Sequence, residues 1–553
     1  MLNNNLVTVK FENGEERKVT EGAVLKDVLK TLHQMPENVL GLIVGNEVHS
    51  FYYKIIEDSY CKFITYNSDE GTKIYARSLK FIMYMAMIRL YGKNVTIDFR
   101  NKIGRDHLAK VKNLKVNEQV IEEIKKEMDI IISQNISFKK HKVSYARAKK
   151  IYKEMNDEQK LENLRHKLRE EYTLYECAGI YNYFYGTLVP STGYIKGYDL
   201  RSYKDGILLM LPEANDINKV KDKIEGNKLF GLFDEFAKLS KIVEVQDVSQ
   251  LNKKVIDGDV GEVIRLAEAD HEKRLVEVAQ KICKNPKIKI VLVAGPSSSG
   301  KTTFAQKLNI HLKISGKHSR IITMDNYFKD RDNTPLGKDG KPDFENLSAM
   351  EVELFEQQMN DLINGKEVDM PIYDFKLGKK IYGKNILKLT EEDILIVEGI
   401  HALNPKVSED IDKDSKFKIY VAPVVTLSLD HFTKVSSTDT RLIRRIVRDA
   451  DSRGHGVEKT LEMWPKVRKG EEDNIFPYVN TANYIYNTSL IYELGVIKTF
   501  AQLLLLQVEE TSEYYKDARR LYKLLENFKS IETGEIPVNS IIREFIGNGC
   551  FYR

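Results

Sequence analysis

The chain opens on alternating apolar and polar positions. In "LVTVKFENGEERKVT" (6–20) two period-two runs flank Asn13-Gly14, a pairing that predicts a hairpin. Helical spacing follows in "AVLKDVLKTLHQM", where Val24, Leu25, Val28, Leu29 and Leu32 share one face. A second strand pair, "VLGLIVGNEVHS", turns at Gly45-Asn46. Hairpin, helix, hairpin over residues 6–56 is a small β-grasp pattern.

Further along, 138–172 is densely charged at helical spacing and predicts a helix. An RNA-facing surface and a solvated one are both open, and the acidic residues mixed through its second half favour the solvated one. "VIRLAEADHEKRLVEVAQKIC" (263–283) predicts an amphipathic helix ahead of a new domain. Beyond it come apolar runs fit for strands buried on both faces: "KIKIVLVAG" (287–295), "SRIITMD" (319–325) and "DILIVEGIHAL" (393–403).

Composition narrows the class. With 553 residues the chain exceeds one compact core, and 42% hydrophobic with 30% charged residues describes an ordinary globular protein. A net charge of +5 gives no reason to expect a dedicated nucleic-acid or membrane-surface binder. Cys61, Cys177, Cys283 and Cys550 form no CxxC pair, which argues for a reducing compartment and against a zinc knuckle. The longest apolar stretches, such as "LLLL" at 503–506, are far too short for a membrane span, so a cytoplasmic protein is expected.

Chemistry concentrates after residue 287. Strand "KIKIVLVAG" runs into Gly295-Pro-Ser-Ser-Ser-Gly300-Lys301-Thr302, and then into a helix with Phe304, Leu308 and Leu312 on one face and Gly316 past its end. Strand, Gly-rich loop and helix are the context a phosphate loop needs. Its backbone N–H groups converge on phosphate oxygens, Lys301 neutralises them, and the Thr302 hydroxyl is placed to ligate Mg²⁺. Asp325 ends the next strand, where an acid can take a proton from a hydroxyl nucleophile. Glu398 ends another, where it can hold the metal or its water. In "DTRLIRRIVRDADSRG" (439–454), Arg441, Arg444, Arg445 and Arg448 fall on one side of a wheel, with Ile443, Ile446, Val447 and Ala450 opposite, which suggests arginines folding over a triphosphate.

Residues 287–500 resemble the uridine kinase/phosphoribulokinase group through "GPSSSGKTT", "TMDNYF", "DFEN", "MPIYDF", "ILIVEGIHAL" and "STDTRLIRRIVRDADSRG". That resemblance implies an α/β fold, a doubly wound parallel sheet, with ATP and Mg²⁺ as co-substrate and cofactor. It implies ATP contacts from Gly295, Ser297, Ser298, Ser299, Gly300, Lys301, Thr302, Thr303, Arg448 and Arg453. Asp325 corresponds to the general base for a ribose 5′-hydroxyl, acting with Lys301, Glu398 and Arg448, and the metal falls to Thr302 and Glu398. Asp343, Glu345, Tyr373, Phe375 and Arg445 correspond to nucleoside contacts. One position departs: the His that reads the base edge is Gly378 here, in "DFKLGKK". The stretch "VAPVVTLSLDHFTKVS" is also longer than in the simple kinases.

The front half resembles threonyl-tRNA synthetases. The 6–56 pattern is similar to their TGS domain, while "CKFITYNSDEGTKIYARSLKFIMYMAMIRLYG" (61–92) and "YECAGIYNYFYGTLVPSTGYIKGYDL" (175–200) are similar to their editing domain. The four metal-binding positions of that domain read Arg77, Phe81, Cys177 and Tyr181, a set that cannot hold zinc. The expected layout is therefore a TGS-like unit (1–62), an α+β editing-like unit (63–245), a helical linker (246–286), the kinase unit (287–500) and a helical end (501–553), in which Pro537 precedes a short terminal helix docked on the kinase unit. Transfer of the ATP γ-phosphoryl group to a ribonucleoside, uridine or cytidine, is the expected activity. A tRNA-sensing NTPase and a kinase of another alcohol stay open, as do RNA binding by the front half and homo-oligomerisation.

Overall fold

The three apolar runs of the second half become strands of a five-stranded parallel sheet, in the order His318–Thr323, Asp393–Glu398, Ile290–Ala294, Lys416–Ala422, Tyr484–Asn487, of which the last two were not expected. This is a computed structural model; it describes residues 5–166, 170–222, 224, 233, 237–337, 340 and 342–551. Alternate residues of the central strand separate cleanly. Val291 and Val293 face one apolar cluster with the helix Lys301–Ile314, whereas Ile290, Leu292 and Ala294 face another with the helix Val352–Ile363. Both faces are covered, as near-continuous apolar strands require. The strand ends that carry Ala294, Thr323 and Glu398 therefore open on one edge of the sheet, where the loops between strands and helices gather.

The front half builds separate sheets. Strands Leu6–Phe11, Glu16–Thr20, Val39–Val44 and Glu47–His49 form the two expected hairpins around the short helix Leu25–Leu29, and a fifth strand, Ser59–Thr65, lies between them. The turn at Gly45-Asn46 is a two-residue one with both φ positive, whereas the first hairpin closes through a wider loop. Next, the helix Asp69–Tyr91, capped by the Ser68 hydroxyl on the Gly71 N–H at 3.0 Å, shares an apolar core with the helix Glu118–Ser133 and an antiparallel four-stranded sheet.

One expectation holds only in part. The charged stretch 138–172 begins as an edge strand, Lys139–Ser144, followed by helices Tyr145–Glu154 and Glu158–His166; residues 167–169 lie outside the described ones. Lysine-rich edge strands are a usual defence against further strand pairing, and their polarity hides them from a search for apolar alternation.

The long connection before the arginine-rich helix Ser437–Ser452 carries one junction between the two halves, beside others such as the Tyr185 hydroxyl on the Arg520 carbonyl. Phe432 leaves the second half and enters the front core, with ring centroids 5.1 Å from Tyr84 and 5.6 Å from Phe184. Phe99 donates its N–H to the His431 carbonyl at 2.8 Å, and Lys80 donates to the Phe432 carbonyl at 3.0 Å. At the other end of the chain, the helix Arg543–Ile546 packs beside the parallel sheet's helices, with Ile541, Ile542 and Phe545 buried in their shared core. No helix among the described residues is long and apolar enough to cross a membrane.

Candidate active site

Gly295 leaves the central strand and opens the loop that ends in the helix Lys301–Ile314. Ser298 and Gly300 sit at φ +57° and +84°, a left-handed geometry that is easy for glycine and bends the loop around its own interior. The loop is gripped from outside. Arg441 donates to the Ser297 carbonyl at 2.9 Å, Arg444 to that of Ser298 at 3.4 Å, and the Thr488 hydroxyl to that of Ser299 at 2.6 Å. In a trans peptide the carbonyl and the next N–H point opposite ways, so outward carbonyls turn the Ser298 and Gly300 N–H groups inward, whereas the Ser299 N–H closes a turn on the Pro296 carbonyl at 3.2 Å. That is the arrangement a phosphate needs.

The arginines differ from the expected lid. Arg441 and Arg444 are buried, paired with Glu471 and Glu493, and lie behind the loop rather than over it. Arg445 donates to the Ser297 hydroxyl at 2.8 Å and pairs with Asp449. Arg448 also reaches Asp449, at 2.8 Å, and Arg453 lies half exposed with its charge acting on Asp325. A wheel shows a cationic stripe but not the acids that neutralise it from other helices. These pairs are buried and hydrogen-bonded, the condition under which guanidinium groups tolerate an interior.

Asp325 lies in the turn Met324–Tyr327, two residues past the strand His318–Thr323 on whose last residue it had been expected. Glu398 ends its own strand beside both Val293 and Thr323. Burial pushes both carboxyls up, Glu398 to about 7, while the Lys301 ammonium draws both down. Lys301 folds back to the Pro296 carbonyl at 3.3 Å. Thr302 is exposed on the first helical turn, whereas Thr303 is buried and donates to Glu544 at 2.6 Å.

Glu345 sits against the helix Val457–Asn474, where a Cβ on Gly470 would lie 2.7 Å from its own. Asn474 holds the Glu345 carbonyl at 3.0 Å, and Asp343 accepts the Glu345 N–H at 3.3 Å. Burial raises the Glu345 carboxyl to about 7 against the pull of Arg445. The Tyr373 ring packs edge-on to Phe375 at 5.1 Å and to Phe328 at 6.0 Å. Phe375 is 57% exposed.

Residues 290–489 match the model of the Phosphoribulokinase / Uridine kinase family. A uridine kinase of Lactobacillus johnsonii is 30% identical over 175 residues, 32% of this chain and 74% of that one. A uridine kinase of Mycoplasma genitalium is 32% identical over 182 residues, again 32% and 74%. The chain belongs to the phosphoribulokinase/uridine kinase family. A solved structure titled a possible uridine kinase, from Bacillus stearothermophilus, aligns at 17% identity and TM-score 0.28 over 40% of this chain and 98% of that one, too slight a likeness to add to the match. The family match supports a kinase of a nucleoside or another small molecule, and it covers only the second half of the chain.

Four residues escape motif reading: Glu471 and Thr488, which bond the loop, Glu493, which holds Arg444 behind it, and Glu544, which holds Thr303 on the helix after it, all far in sequence from their partners. The GEED run around Glu471 is the one signal that could have drawn attention. A divalent cation fits the donors present. An exposed Thr302 hydroxyl and the half-buried Glu398 carboxylate are hard oxygen ligands of the kind Mg²⁺ takes. No group of three or more acidic, His or Cys residues among the described ones forms a cage. The front-half positions Arg77, Phe81, Cys177 and Tyr181 do not form a ligand set. Phe81 and Cys177 lie in the apolar core, Tyr181 packs on a separate cluster, and Arg77 is held by Glu70 at 2.7 Å and by the Tyr185 carbonyl at 2.9 Å.

Proposed function

We propose that the chain transfers the γ-phosphoryl group of ATP to the 5′-hydroxyl of a ribonucleoside. The observation that carries this reading is the phosphate loop with inward N–H groups, set at the same sheet edge as Lys301, Asp325 and Glu398. Asp325 takes the hydroxyl proton as the oxygen attacks, and burial, by raising its carboxyl, makes it a better base than an exposed aspartate. Lys301, Arg448 and Arg453 neutralise phosphate charge, while Glu345 and Arg445 hold the sugar and Tyr373 and Phe375 hold the base. Mg²⁺ bound at Thr302 and Glu398 supplies further neutralisation of the phosphates. In this reading the front half is a TGS-like and editing-like pair of units without synthetase hydrolysis.

The test is ADP release from Mg-ATP by the purified chain with each of four ribonucleosides, beside no-acceptor and tRNA-only samples. Acceptor-dependent release supports the reading. Release stimulated by tRNA alone replaces it with an RNA-responsive NTPase.

A further inference from the structure

Gly378, which stands where the resemblance leads one to expect a base-reading His, is not an empty position. Its φ is +69°, and a Cβ there would lie 2.9 Å from both Cβ and Nε of Arg331 and 3.0 Å from its Cζ. Arg331 is clamped flat onto this turn. Its N–H donates to the Gly378 carbonyl at 2.8 Å, and its Nη2 donates to the Phe375 carbonyl at 2.5 Å. A guanidinium has five N–H donors, so most of this exposed one remain available beside the two aromatic rings. A second group points to a missing partner. The Tyr373 hydroxyl is buried on a residue only 4% exposed and has no hydrogen-bond partner among the described residues. Buried hydroxyls without partners are rare enough to demand one.

We propose that Arg331, seated in the space that Gly378 leaves open, reads the base together with the Tyr373 hydroxyl and selects ribonucleosides with a carbonyl edge over those with an exocyclic amine. This rests on the nucleoside kinase reading above. A guanidinium only donates, so it pairs with the O4 of uracil or the O6 of a 6-oxopurine and faces the amine of cytosine or adenine donor to donor. Mismatched polar groups in a site built for hydrogen bonding are what give strong discrimination. Arg331 is a specificity residue and touches no reacting atom.

The experiment measures kcat and KM for uridine, cytidine, guanosine and adenosine on the full chain, for the wild type, Arg331→Met and Arg331→Gln. Methionine keeps a stem that packs on Gly378 without its donors, and thermal melting confirms that each variant folds. The wild type should favour uridine over cytidine, and guanosine over adenosine, by roughly tenfold or more. Both variants should bring each ratio near one, through KM rather than kcat. A folded variant with unchanged ratios, or a wild type that prefers the amino bases, overturns the inference while leaving the kinase reading intact. If the wild type phosphorylates no nucleoside, that reading fails and this inference falls with it.

Discussion

Glu471 and Arg441 grip one loop residue from both sides: the carboxylate accepts the Ser297 N–H at 3.0 Å while the guanidinium donates to the Ser297 carbonyl at 2.9 Å. The two are themselves an ion pair and both are buried. The pair ties the arginine helix, the helix after it and the phosphate loop into one unit.

Glu471→Gln should therefore leave Arg441 buried without its counter-charge. Breaking one side of a buried pair costs about 3–5 kcal/mol of stability, and the loosened loop should bind ATP more weakly. Urea unfolding and ATP titration read the two effects. Unchanged values in both would mean that the pair does not brace the loop.

Glu345 should give nucleoside binding a pH dependence. Its carboxyl is raised to about 7 because burial penalises the charged form, so the ionised fraction falls as pH drops below 7. Only the ionised form accepts hydrogen bonds from two sugar hydroxyls without donating one. The nucleoside KM should rise between pH 8 and pH 6 in the wild type and stay flat in Glu345→Gln. A flat wild-type profile would remove Glu345 from sugar binding.

Three of the five parallel strands were legible because they carry apolar runs; Lys416–Ala422, with lysines at 416 and 418, and the four-residue Tyr484–Asn487 gave no such run. The loop was legible because its glycines and Lys301 sit between an apolar strand and an amphipathic helix. The arginine face was not, since Arg441 and Arg444 find their acids 30 and 49 residues further on. The edge strand Lys139–Ser144 was missed although a sign was present: the Ser144 hydroxyl caps the next helix on the Arg147 N–H at 3.3 Å, marking a start at Tyr145 rather than at 138.

The C-terminal docking at the phosphate loop has its own consequence. Glu544 accepts the Thr303 hydroxyl at 2.6 Å, and a Cβ on Gly300 would come within 2.8 Å of Ile541. A hydrogen bond to a charged group is worth about 1.5–3 kcal/mol, so Glu544→Gln should raise the ATP KM roughly tenfold or more with little change in nucleoside KM. Equal shifts in both constants would indicate a general loss of structure instead.

Phe432 should be a joint between the halves. Truncating a buried phenyl ring costs about 3–5 kcal/mol, and here the ring belongs to one half and its core to the other. Phe432→Ala should split a single unfolding transition into two in calorimetry. One undivided transition at the wild-type temperature would contradict that role.

The central claim is phosphoryl transfer to a ribose hydroxyl with Asp325 as base. The most direct measurement follows 5′-monophosphate by mass spectrometry in mixtures of Mg-ATP and nucleoside, for the wild type and for Asp325→Asn. The account predicts a nucleoside 5′-monophosphate formed one-for-one with ADP by the wild type, and a rate lower by roughly two or more orders of magnitude in the variant with ATP binding retained. ADP and free phosphate without a phosphorylated nucleoside, or a variant as fast as the wild type, would contradict it.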